Sequence, residues 1–251
     1  MRKTSTILRR FFDVYDYIEY FMRKHLEGFT PKDMKKAFII ENPFGIKSFS
    51  TLETYAQWII GYYIKDFQRK SLDVFARFIT SPDIPKIAKR ELIFWRTCRK
   101  DSITAELTKK MIYQNFVEGE SHVPKDEIKN FITKKTNFSE STIRRTLTGY
   151  LRLLERLGIV RLSGEKVELR YYIPKLESVS YVVFYLLETH TSPKKILESD
   201  DFKYFLLDER GLISYLKDMQ LEGIIEFAMA GDIVRIEPKM EFEVLIDAFK
   251  A

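Results

Sequence analysis

Ser139-Glu140-Ser141-Thr142-Ile143-Arg144-Arg145-Thr146-Leu147-Thr148-Gly149-Tyr150-Leu151-Arg152-Leu153-Leu154-Glu155-Arg156-Leu157-Gly158-Ile159-Val160-Arg161-Leu162 is the stretch on which the fold turns. Ile143, Leu147, Tyr150, Leu151 and Leu154 recur at helical spacing, so the segment from Thr142 to about Leu157 reads as an amphipathic helix. Ser141 stands at its N-terminus, and Gly158 supplies the left-handed residue that closes a helix. Ile159–Leu162, a turn at Ser163-Gly164-Glu165-Lys166 and the run 167–173 then read as a β-hairpin. Upstream, Pro124 opens a helix with Ile128, Phe131 and Ile132 inward, and Thr136–Ser139 is a turn. Helix, turn, helix, hairpin is the layout of a winged helix-turn-helix, here spanning 121–176.

In that layout the second helix lies in the major groove with its N-terminal residues toward base edges. The apolar stripe leaves Ser141, Thr142, Arg144, Arg145, Thr148 and Arg152 outward. Arg reads guanine or pairs with phosphate, and hydroxyls bond phosphate oxygens. Lys129, Lys134 and Lys135 flank this set on the first helix; Arg161, Lys166 and Arg170 decorate the wing. Residues 125–161 hold nine basic and four acidic side chains. The expected partner is double-stranded DNA.

The closing half of the unit recurs in the tail. Tyr150-Leu151-Arg152 precedes Gly158-Ile159-Val160 by eight residues, and Tyr215-Leu216-Lys217 precedes Gly223-Ile224-Ile225 by the same eight. A hairpin pattern with a turn at Ala230-Gly231-Asp232 follows the second copy. A 65-residue offset suggests a second winged-helix-like module over 177–251, with a C-terminal helix after Pro238. Its charge differs. Residues 190–237 carry six basic and ten acidic side chains, a surface that repels phosphates. Packing against the basic part of the chain, or binding a protein partner, fits it better.

Before Gly119 nothing alternates with period two. Thr4-Ser5 caps a helix reaching His25, with Ile7, Leu8, Phe11, Phe12, Tyr15, Ile18 and Met22 on one stripe. Thr30-Pro31 opens Lys32–Ile40, and Asn42-Pro43-Phe44-Gly45 breaks it. Ser50 or Thr51 caps the next helix, and others follow near 72–79, 85–99 and 104–117. Residues 1–120 read as a helical bundle, and the fold class is mainly α with small β-hairpins. Basic pairs from Arg9-Arg10 to Lys109-Lys110 read as solvated helix surface, and the aromatic clusters as core.

The 251 residues carry 42 Lys+Arg against 36 Asp+Glu. Resolved along the chain, the net charge is +7 over 1–124, +4 over 125–189 and −5 over 190–251. An apolar content of 45% supports a core and excludes a disordered chain. The one cysteine, Cys98, excludes a disulfide scaffold and suggests a reducing compartment. No apolar run reaches the length of a membrane span, and Met1–Arg10 has no apolar core behind it, so a cytoplasmic, membrane-free protein is expected. No phosphate-binding glycine loop, Gly-x-Gly-x-x-Gly or Gly-x-Ser-x-Gly occurs. His25, His122 and His190 share no metal-ligand spacing. No enzyme activity, cofactor, metal or small-molecule substrate is expected.

A helical first half with Asn42 and a Ser50/Thr51-led helix is followed by Lys89-Arg90-Glu91-Leu92-Ile93-Phe94-Trp95. Next comes a helix ending Asn115-Phe116-Val117, and then the Ser139-x-Ser141-Thr142 start of the helix that closes at Leu157-Gly158-Ile159. Together these resemble the A component of BREX phage-defence systems, the BrxA-like proteins. The resemblance implies a small non-enzymatic DNA-binding component working beside a methyltransferase, an ATPase and other defence proteins. It supplies no catalytic residues. Two further readings stay open: a sequence-specific transcription regulator, and a protein-interaction scaffold that uses winged-helix modules without DNA.

Overall fold

The computed structural model describes residues 14–250 apart from Asp66. Thr4, Ser5, Ile7, Leu8, Arg9, Arg10, Phe11 and Phe12 lie outside the described residues. From Val14 the first helix, α1 (Val14–Leu26), buries Val14, Ile18, Phe21 and Met22 on one stripe. Thr30 caps α2 (Pro31–Glu41) through its hydroxyl, which accepts from the Asp33 N–H, and Asn42 ends it in the left-handed region. α3 (Phe49–Ile59) begins one to two residues before the expected Ser50/Thr51 cap, with Ser48 at the capping position. It runs on into a π-helical stretch, Ile60–Ile64. α4 (Arg69–Thr80) and α5 (Lys86–Lys100) complete the middle of the bundle. Asp101 caps α6 (Ser102–Leu107), which continues through a π-helical segment, Thr108–Tyr113, into α7 (Gln114–Val117).

The chain then forms β1 (His122–Pro124), α8 (Lys125–Lys135), α9 (Glu140–Arg156), β2 (Val160–Ser163) and β3 (Lys166–Leu169). The three strands make one antiparallel sheet in the order β1-β3-β2. Val167 is the central residue, paired with Val123 on one side and Leu162 on the other. The hairpin is shorter than the sequence suggests, because Arg170–Lys175 leave the sheet. β1 carries no alternation of its own; it is a strand because β3 is there to pair with it.

α10 (Leu176–Glu188), α11 (Pro193–Leu197), a 3-10 turn at Phe202–Phe205 and α12 (Glu209–Leu221) follow. β4 (Ile225–Ala230) and β5 (Ile233–Pro238) form the second hairpin. The expected C-terminal helix is a 3-10 helix, Phe242–Phe249, packed on α4 and α10.

The 65-residue repeat is a repeat of hydrogen bonds. After α9, Gly158 N–H donates to Glu155 O and Ile159 N–H to Leu154 O; after α12, Gly223 N–H donates to Gln220 O and Ile224 N–H to Met219 O. Both glycines sit at positive φ, 77° and 71°. The brace behind each cap repeats as well. Glu155 Oε1 accepts from Leu162 N–H at 3.3 Å, and Gln220 Oε1 accepts from Phe227 N–H at 3.0 Å.

Buried apolar side chains from all three parts of the chain join in one continuous cluster. Tyr181 of α10 lies edge-on to Phe75, Phe78 and Trp95 of the bundle. Polar contacts follow the same seams. Tyr150 Oη meets Thr108 Oγ1 at 3.1 Å, which fixes α9 to the bundle. Trp95 Nε1 donates to Asp201 at 2.8 Å. The chain from α10 onward meets the basic bundle through Arg99–Asp201, Lys109–Asp200, Lys70–Glu188 and Lys70–Glu243 ion pairs. Part of the charge asymmetry is thus spent within the molecule.

Candidate nucleic-acid interface

α9 begins two residues earlier than its sequence suggests. Ser139, not Ser141, is the cap, its Oγ accepting from Thr142 N–H. That shift decides the orientation of Thr142. Its hydroxyl lies 2.8 Å from Ser139 Oγ and its side chain is buried, 9% exposed. The expectation of an outward Thr142 is therefore corrected: a hydroxyl in the first turn is captured by the cap instead of facing solvent.

The remaining α9 positions fall on one face. At 100° per residue, Ser141, Arg144, Arg145, Thr148 and Arg152 occupy an arc of about 100°, and all five are exposed. Ile143, Thr146, Tyr150 and Leu154 are buried on the opposite side; Leu147 is only half-buried. Among the described residues, Arg144 and Arg145 form no ion pair and no side-chain hydrogen bond. Two guanidiniums with no carboxylate partner among the described residues are placed to pair with an external anion or with water.

The flanking lysines divide. Lys134 is exposed near the end of α8. Lys135 instead pairs with Glu106 of α6 at 3.2 Å. Burial pushes the Glu106 carboxyl up, but Lys135 and Lys110 outweigh it and hold the group below its ordinary range. Lys135 thus ties α8 to the bundle. Lys129 lies 3.9 Å from Glu140, across the turn between α8 and α9. Lys166 is exposed beside the hairpin turn, Arg161 is exposed on β2, and Arg170 is exposed just after β3.

The hairpin itself is held down. Lys125 donates from its backbone N–H to Glu165 O and from Nζ to Gly164 O, so the turn is clasped to the start of α8. This contact was not legible in the sequence, since Lys125 reads there only as a first-turn residue. The arrangement is a helical ridge with a short basic hairpin beside it, suited to donating several hydrogen bonds to a row of anionic oxygens. No group of His, Cys, Asp and Glu among the described residues could hold a metal ion. No helix among them is long and apolar enough to cross a membrane.

The family model for BrxA matches residues 20–184. The matched span runs from within α1 to within α10 and contains the whole segment from β1 to β3. No curated protein matches the chain. With about two thirds of its length inside that match, the chain belongs to the BrxA family, whose members are components of BREX phage-defence systems.

Proposed function

We propose that this BREX component binds duplex DNA through α9, as a non-enzymatic accessory protein of phage defence. The segment from β1 through β3 is then a winged helix, with β1, α8, α9, β2 and β3 in chain order and β1 pairing β3. The second module, 177–251, repeats the helix and hairpin of that unit. The observation that carries the reading is the outward arc of α9, with Arg144 and Arg145 unpaired among the described residues. Phosphate neutralisation supplies most of the affinity in such interfaces, and helix N-terminal side chains set register on the duplex. Lys134, Arg152, Lys166, Arg161 and Arg170 extend the cationic surface on either side. Thr142 and Lys135 drop out of the contact set, because their side chains are engaged within the protein.

The test is a salt-titrated binding curve on duplex DNA for the wild type and for Arg144→Glu/Arg145→Glu. Both positions are exposed, so the variant folds. Its affinity is expected to fall by at least about tenfold, and its log-log salt slope by about 2. Equal curves for the two proteins would remove α9 as the DNA-binding element. A binding curve flat with salt would remove the electrostatic reading altogether.

A further inference from the structure

The 65-residue register allows the outer faces of the two hairpin-closed helices to be compared position by position. Where α9 presents Arg144, Arg145, Thr148, Arg152 and Arg156, α12 presents Glu209, Arg210, Ile213, Lys217 and Leu221. On the hairpins, Leu162 and Gly164 correspond to Phe227 and Met229. The closing helix and hairpin of the two units agree down to the brace from Glu155 or Gln220, yet the chemistry of the face is exchanged. Four cations become two cations and an anion, and apolar side chains replace polar ones.

Those apolar side chains line a groove. Ile213, Lys217, Gln220 and Leu221 of α12 face Phe227 and Met229 of β4 around an open cavity of about 620 Å³. Leu221 is 85% exposed and Met229 46%, an arrangement that water alone does not favour. Met is suited to a surface that adapts to what it binds. Lys217 makes no ion pair or side-chain hydrogen bond among the described residues. The groove therefore joins an apolar floor to one uncommitted cation.

We propose that this groove docks an amphipathic helix of another protein, one with an apolar stripe and an acidic residue placed to meet Lys217. The helix-in-groove mode matches an apolar channel between a helix and a hairpin, and the charge at Lys217 sets the sign of the partner. Six residues line the groove, fewer than the about 20–30 a side of a broad stable interface, so it suits one inserted element of a partner and not a face-to-face contact. Phosphates are poorly served by a face with two cations, one anion, exposed leucine and methionine and a half-buried phenylalanine.

The experiment places the photo-crosslinking residue p-benzoylphenylalanine at position 221 of the full chain, co-expressed with the other proteins of its defence system. Position 40, an exposed isoleucine on the bundle, serves as the control. The expected result is an adduct with a protein of that system. Its mapped segment carries apolar residues at helical spacing and an acidic side chain. Adding Lys217→Glu to the 221 probe lowers adduct yield about tenfold, since like charges then face each other. Adding Arg144→Glu/Arg145→Glu leaves the yield unchanged, which separates this docking from the DNA-binding reading. An adduct with a second copy of the chain, an adduct with DNA alone, or a yield no greater than at position 40 would each overturn the proposal.

Discussion

Glu91 sits inside the protein, 1% exposed, with both oxygens occupied. Oε1 accepts from Tyr172 Oη at 2.6 Å; Oε2 accepts from Lys175 N–H at 3.0 Å and from Ser178 Oγ. One side chain of α5 thus holds the extended linker between the first hairpin and α10. Glu91→Ala would orphan the Lys175 N–H and the Tyr172 hydroxyl, at about 1–3 kcal/mol each; urea denaturation measures the loss. Burial pushes the carboxyl up, against the three hydrogen bonds that pull it down. The folded chain therefore holds this proton more tightly than the unfolded chain. The associated stability is present below the ordinary value of 4.5 and is lost as pH rises toward the folded value. Glu91→Gln keeps the acceptor toward Lys175 and can donate to Tyr172, but does not titrate. Denaturation midpoints of the two proteins should diverge across that window, with the wild type losing ground as pH rises; parallel profiles would refute the assignment. None of this is legible in the sequence, where Glu91 is one more charge on a basic helix. Its partners lie more than 80 residues away.

Helices and caps are the level at which the sequence speaks most directly. The stripe of α9, the Thr30 cap and the closing glycines are local, so 3.6-residue periodicity and turn chemistry reveal them. β1 is three residues long and gains its hydrogen bonds from β3, more than 40 residues on, so no local signal marks it. The burial of Thr142 was hidden for a related reason: Ser139 and Ser141 both qualify as caps by residue type, and their choice fixes which way Thr142 points. The outward arc of Arg144, Arg145, Thr148 and Arg152 followed from the stripe alone. The repeated cap makes its own prediction. A Cβ at Gly158 or at Gly223 would meet nothing within 4 Å, so substitution costs only the left-handed backbone. Gly158→Ala and Gly223→Ala should each lower stability by about 1–2 kcal/mol. The two losses should agree within about 0.5 kcal/mol by denaturant titration, and a large mismatch would mean that the two caps are not equivalent.

Across the whole molecule, the division into bundle and two modules describes the sequence better than it describes the packing. α9 is fixed to the bundle through Tyr150, α10 inserts Tyr181 among bundle aromatics, and the tail returns as Phe242–Phe249 against α4. Differential scanning calorimetry should therefore show one cooperative transition for the full chain. Two resolved transitions would mean that the modules unfold separately. The ion pairs of the tail with Lys70, Arg99 and Lys109 are partly exposed and so contribute little each, but they withdraw those cations from the surface that faces outside. The matching braces at Glu155 and Gln220 carry one more implication. Each unit is held from behind, by its cap and core, while its outward side takes no part in holding it. Two units built on the same brace can therefore carry different outward residues, basic on α9 and partly apolar on α12, with no change of architecture.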